Sequence, residues 1–164
     1  MSKDIKLFTA CNHIVNDQKY SPSACPRCYG VNYYYDLTFD NEGKIITTSG
    51  EIKLQQEVLK IMNDKKGGNK FFTEWGNPIV TDGYIGGKNT HATSERIRMA
   101  VYETLQHLKN VQINNQIIFS NMTEEEIIEN IQEIYVKSIP PTGYVVGVKF
   151  SNAVNNIYEQ IIVI

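Results

Sequence analysis

All three cysteines of the chain fall in one short stretch, "CNHIVNDQKYSPSACPRCYG", and His13 lies among them. The spacing is Cys11-x-His13, eleven residues, then Cys25-x-x-Cys28. Two close pairs of soft or borderline ligands on two loops are what a tetrahedral Zn²⁺ requires, each pair forming one knuckle. Pro26 stiffens the second knuckle. Gly30 allows the turn that lets backbone N–H groups face the thiolates. Protein ligands fill all four positions, so the expected role of Cys11, His13, Cys25 and Cys28 is structural rather than catalytic. A β unit of fewer than about 50 residues rarely buries enough surface to fold alone, and a metal is a usual remedy. Two alternatives stand beside this one. A redox dithiol would need Cys25-x-x-Cys28 to open a helix, whereas "YGVNYYYDLTF" reads as strand. Otherwise the three cysteines are unrelated.

Composition narrows the function classes. The 164 residues carry a net charge of −2, so no broad basic field grips phosphate. Residues 1–45 hold Lys3, Lys6, Lys19, Arg27 and Lys44 against Asp4, Asp17, Asp36, Asp40 and Glu42. That balance weighs against the runner-up function, a nucleic-acid-binding or regulatory zinc ribbon, although its aromatics suit base stacking. No apolar run is long enough for a membrane span, and the first residues lack a basic flank followed by an apolar core, so no export signal is expected.

The pattern predicts an α+β protein. A small zinc-ribbon-like β module covers residues 1–48, with "IKLFTA", "VNYYYDLTF" and "IITT" as strands. A second domain covers 49–164, with about three helices and a C-terminal antiparallel β-hairpin. In the first helix, "EIKLQQEVLKIMND", Ile52, Gln55, Leu59 and Met62 share a face, and Gly67-Gly68 stops it. A long glycine-containing connection follows, of the kind that is usually functional or an interface. Thr93 or Ser94 is expected to cap a second helix with the stripe Ile97, Val101, Leu105 and Leu108. "MTEEEIIENIQEIYVK" is expected to be a third, through a Thr123–Glu126 capping box and an apolar face of Ile127, Ile131, Ile134 and Tyr135. After "IPPTG" two strands are expected, the last being "IYEQIIVI". A terminal strand this apolar is either central in a sheet or meant for a partner.

No enzyme motif emerges. Glu74 beside Trp75, with Asp82 downstream, is the best acid pair available, and it reads as loop surface. There is no P-loop, Gly-x-Ser-x-Gly or HExxH, and His91 and His107 read as ordinary polar residues. A non-enzymatic protein is expected.

From residue 50 onward, the order of "LQQEVLKIMNDKKGGNKFFTEWGNPI", a glycine-rich link, "SERIRMAVYETLQHLKNVQ", an acidic element and a closing hairpin carries a resemblance. Gln55, Leu59, Lys66-Gly67, Asn69, Trp75-Gly76 and Ile79 occupy its key places. The chain resembles the baseplate wedge proteins of contractile-tail bacteriophages, the small tail lysozyme-like family that acts as sheath initiator. That family does not generally carry the zinc segment, so residues 1–48 are an addition to it. The resemblance implies a structural subunit, present in several copies in the virion tail baseplate and made in the bacterial host cytoplasm. It implies other wedge proteins and the tail sheath protein as partners, and no catalytic pair. It also implies that the last strand (Tyr158, Gln160, Ile161, Ile162, Val163 and Ile164) adds to a neighbour's sheet. Deleting residues 158–164 is then expected to leave a soluble domain that cannot nucleate sheath.

Overall fold

The computed structural model describes residues 4–5, 14–15, 18–19, 42, 44–45, 47–80, 90–119, 122–141 and 143–163. Near the N-terminus it contains two short antiparallel pairings. β1 (Asp4–Ile5) pairs with β4 (Thr47–Thr48), and β2 (Ile14–Val15) pairs with β3 (Gln18–Lys19). Thr47–Thr48, within the strand expected from "IITT", pairs with Asp4–Ile5. The four predicted zinc ligands and "VNYYYDLTF" lie outside the described residues.

α1 runs from Gly50 to Asn63 and buries Leu54, Val58, Leu59, Ile61 and Met62. Ile52, expected on the buried face, is 48% exposed, because the stripe that meets the core is centred on Leu54, Val58 and Ile61. The helix ends as Asp64 turns to extended backbone (ψ 138°), just before the glycines. α2 runs from His91 to Phe119 and buries Ile97, Val101, Leu105 and Leu108, the predicted stripe. It begins earlier than expected. Thr90 Oγ1 accepts a hydrogen bond from the Thr93 N–H (3.1 Å), so Thr90 takes the capping role in place of Thr93 or Ser94. It also ends later, overshooting the core and leaving Ile117, Ile118 and Phe119 exposed.

The expected third helix is a strand. A single 3-10 turn at Glu124–Glu126 leads into β5 (Ile128–Ile139), followed by β6 (Gly143–Asn152) and β7 (Ile157–Val163). They form one antiparallel sheet in the order β5-β6-β7, so the expected hairpin is two thirds of a meander. The reason lies in two register shifts of β5 against β6, between Ile128 and Asn130 and between Ile131 and Glu133. Each extra residue resets the alternation of the strand. Ile131 and Ile134, with Val136, all pack against the core that contains Ile128. A spacing of three residues, written by bulges, imitates a helical period. The β-branched residues along this segment then favour the strand. Tyr144, Val146, Val148 and Phe150 of the central strand alternate inward, fully buried, and form the floor on which α1 and α2 lie.

Candidate assembly interface

β7 pairs with β6 residue for residue, from Val145 opposite Val163 to Ser151 opposite Ile157. Its other edge has no partner strand among the described residues. Of the predicted partner-binding residues, Tyr158, Gln160, Ile161, Ile162 and Val163 lie together on this strand, and Ile164 lies outside the described residues.

These side chains divide between two faces. Tyr158, Gln160 and Ile162 point to the helices, and Gln160 and Ile162 are buried. Gln160 Nε2 donates to Gln55 Oε1 of α1 at 3.2 Å. The Tyr158 ring packs on Phe150 with centroids 5.6 Å apart, and Asn152 Nδ2 donates to its hydroxyl oxygen at 3.2 Å. Burial, then the hydrogen bond and charge of Glu51, push the Tyr158 hydroxyl pKa up to about 12. Truncating residues 158–164 would therefore cut into the core as well as remove an edge, contrary to the expectation of an intact soluble domain.

The outward face is braced differently. Tyr135 of β5 lies across Gly147 of β6, where an added Cβ would overlap its ring, and its hydroxyl donates to Glu159 Oε1 of β7 at 3.0 Å. One side chain thus spans all three strands. Burial, followed by the Glu159 bond, raises the Tyr135 pKa. Ile157 and Val163, at the two ends of β7, remain 56% and 55% exposed.

The α1 end of the site is held by charge. Glu126, fully buried, accepts from the Gly50 N–H (2.9 Å) and from Lys53 Nζ (3.1 Å), and Lys53 also reaches Glu57 (3.5 Å). Gly50 has φ 63°, and Ser49 makes no side-chain cap, so a glutamate 76 residues away caps α1. Gln112 of α2 joins this network, donating to Glu57 (2.8 Å) and accepting from the Ile128 N–H (3.0 Å). Sequence reasoning missed Glu51 and Asn152, placed Glu126 in a local capping box that does not form, and placed Tyr135 on the apolar face of a helix. Only the glycine opposite an aromatic could have hinted at the Tyr135 brace.

Among the described residues no group of three or more His, Cys, Asp or Glu side chains could hold a metal, and no helix is long and apolar enough to cross a membrane. No family model matches the chain, and no curated protein matches it. Among solved structures, a Geobacter sulfurreducens protein described as a "putative tail lysozyme" superposes with a TM-score of 0.54 at 12% identity, covering 74% of this chain and 95% of that one. The two chains share a fold. That likeness spans nearly all of the Geobacter sulfurreducens protein and leaves about a quarter of this chain outside it.

Proposed function

We propose that this chain is a non-enzymatic structural subunit of a phage tail baseplate wedge, and that it helps nucleate the contractile sheath by accepting a strand on the outer edge of β7. The observation that carries the reading is the regular β7 edge, which has no partner strand among the described residues, on a sheet with one face filled by helices. The fold likeness to a protein described as a "putative tail lysozyme" supports a tail setting. Strand addition takes its affinity from main-chain hydrogen bonds and its register from alternate side chains. The partners in this reading are the tail sheath protein and other wedge proteins.

The test uses proline rather than truncation. In antiparallel pairing, alternate residues turn their N–H to the paired strand or to the open edge. Of Ile161→Pro and Ile162→Pro, one removes a ladder bond to β6 and the other removes only an open-edge donor. The variant that keeps its fold is expected to leave baseplates without sheath by electron microscopy. Full-length sheath on those particles would overturn the reading.

The same proposal gives Cys11, His13, Cys25 and Cys28 a structural Zn²⁺ that folds the N-terminal module for docking. Native mass spectrometry is expected to find one zinc per chain, lost with chelator together with part of the folded stability. A metal-free chain of unchanged stability would remove zinc from the account.

A further inference from the structure

The connection from Asp64 to Asn77, "DKKGGNKFFTEWGN", is tightly closed at its base and presents its tip to solvent. At the base the Asn77 N–H donates to the Asp64 carbonyl (2.7 Å), and the Lys66 N–H donates to the Asn77 carbonyl (3.2 Å). Gly76 sits at φ 104°, and a Cβ there would lie 2.7 Å from the Lys65 carbonyl carbon, so only glycine permits this crossing. Trp75 Nε1 donates to the Asp64 carboxylate (2.7 Å). At the tip Asn69 Oδ1 accepts from the Phe71 and Phe72 N–H groups (2.9 and 3.3 Å). This hydrogen-bonded frame holds Phe71 90% exposed and Phe72 68% exposed. Large apolar side chains held out in this way mark an interaction site.

Two hollows lie beside the wall made by Phe71 and Trp75. One, of about 620 Å³, lies between the tip and α2 and is lined by Phe71, Phe72, Glu74, Trp75, His107 and Val111. The other, of about 480 Å³, is lined by Lys65, Lys70 and Gly68. Charge at this end is positive. Lys65, Lys66 and Lys70 outnumber Asp64, held by Trp75, and Glu74, held by Lys66 at 3.1 Å. From Thr104 to Phe119, α2 carries no acid. Its exposed Ile118 extends the line of His107 and Val111 by two further turns.

We infer that this end of the molecule is a second docking surface, independent of β7, and that it receives an acidic amphipathic helix of another protein. Anchors at i, i+3 or i+4, and i+7 of such a helix enter the groove against Phe71, Phe72 and Val111. Its acidic flank meets Lys65 and Lys70 in the adjoining hollow, where opposite charge fixes orientation and speeds encounter. A groove walled by a loop on one side and a helix on the other fits a rod. A membrane surface would use the tip alone and leave Val111 and His107 idle.

Trp75 is the only tryptophan of the chain, so its fluorescence reports occupancy of the groove. The full-length protein is titrated with synthetic helical peptides of about five turns. One has a leucine stripe and glutamate flanks, a second has lysine flanks, and a third has serine in the stripe. The first is expected to shift Trp75 emission to the blue and saturate, with the other two at least tenfold weaker. Phe71→Ser with Phe72→Ser weakens the first peptide at least tenfold without changing the melting temperature. Lys65→Glu with Lys70→Glu reverses the charge preference. Equal binding of both charges, or binding that survives the double serine variant, overturns the inference. So does a Trp75 shift with anionic phosphatidylserine vesicles but none with the acidic peptide, or self-association that buries the tip in a second copy. None of these readouts involves sheath, so failure here leaves the β7 reading standing, and the converse also holds.

Discussion

β5 and β7 each have β6 as their only strand neighbour among the described residues, yet they finish the sheet differently. β5 carries two register shifts, and α2 lies against it. Lys109 donates from that helix to the Glu129 carbonyl, inside the first shift. Bulges and a lysine are devices that keep an edge from recruiting a foreign strand. β7 has none of them. Its pairing runs without interruption from Ile157 to Val163, and its end residues are apolar and half exposed. The contrast teaches that edge protection was spent on one side of a single sheet. Among the described residues, the β7 side carries none of these devices, which is why an added strand is proposed there.

If the β5 end is held by a buried ion pair and the ends of β7 present exposed side chains, stability should respond unequally along the molecule. The largest effect is expected at Lys53. Lys53→Met leaves Glu126 buried at the start of β5 without its cation, at a cost of about 3–5 kcal/mol by denaturant unfolding. A loss below about 1 kcal/mol would mean that this end is not held by charge.

A smaller, pH-selective effect is expected at Tyr158, which joins β7 to the core. Its folded pKa is raised above that of the unfolded chain, so its contribution is fully present below about pH 10 and is lost as pH climbs toward about 12. Tyr158→Phe should flatten the fall in melting temperature over that window, with Tyr135 retaining a share of it. An unchanged alkaline profile would show that neither burial nor Glu51 keeps the hydroxyl protonated.

The smallest effect on folding belongs to the open edge. Ile157→Lys with Val163→Lys should change unfolding free energy by no more than about 0.5 kcal/mol, because both side chains are half exposed. The same pair should still suppress sheath assembly on particles, since lysines discourage strand addition. A large loss of stability would erase the difference between the two edges.

How far the sequence could be read follows from the range of each interaction. The stripes of α1 and α2 repeat every three or four residues, so both helices were legible, down to Ile97, Val101, Leu105 and Leu108. The alternation of Val146, Val148 and Phe150 with Val145, Gly147 and Lys149 made β6 legible too. β5 was not, because its bulges gave Ile131 and Ile134, two of the four residues of the expected helical face, a spacing that a helix shares. Of the candidate edge, the apolar run Ile161–Val163 was visible as a strand. Whether it lay in the middle of a sheet or at its border was not, since that depends on which strands surround it.

The sequence by itself determined an α+β chain with two amphipathic helices, a closing pair of strands and a terminal segment too apolar to stand alone in water. These follow from local periodicity and turn chemistry, which act over a few residues. Tertiary structure alone decided that Glu126 would cap α1 instead of its own turn and that Tyr135 would cross Gly147 to reach Glu159. It also decided that Phe71 and Phe72 would be held out on a closed loop, and that β7 would have β6 as its only strand neighbour among the described residues. Each of those joins groups distant in sequence or depends on what surrounds them, and the energy of such a contact exists only once the chain has brought its partners within reach.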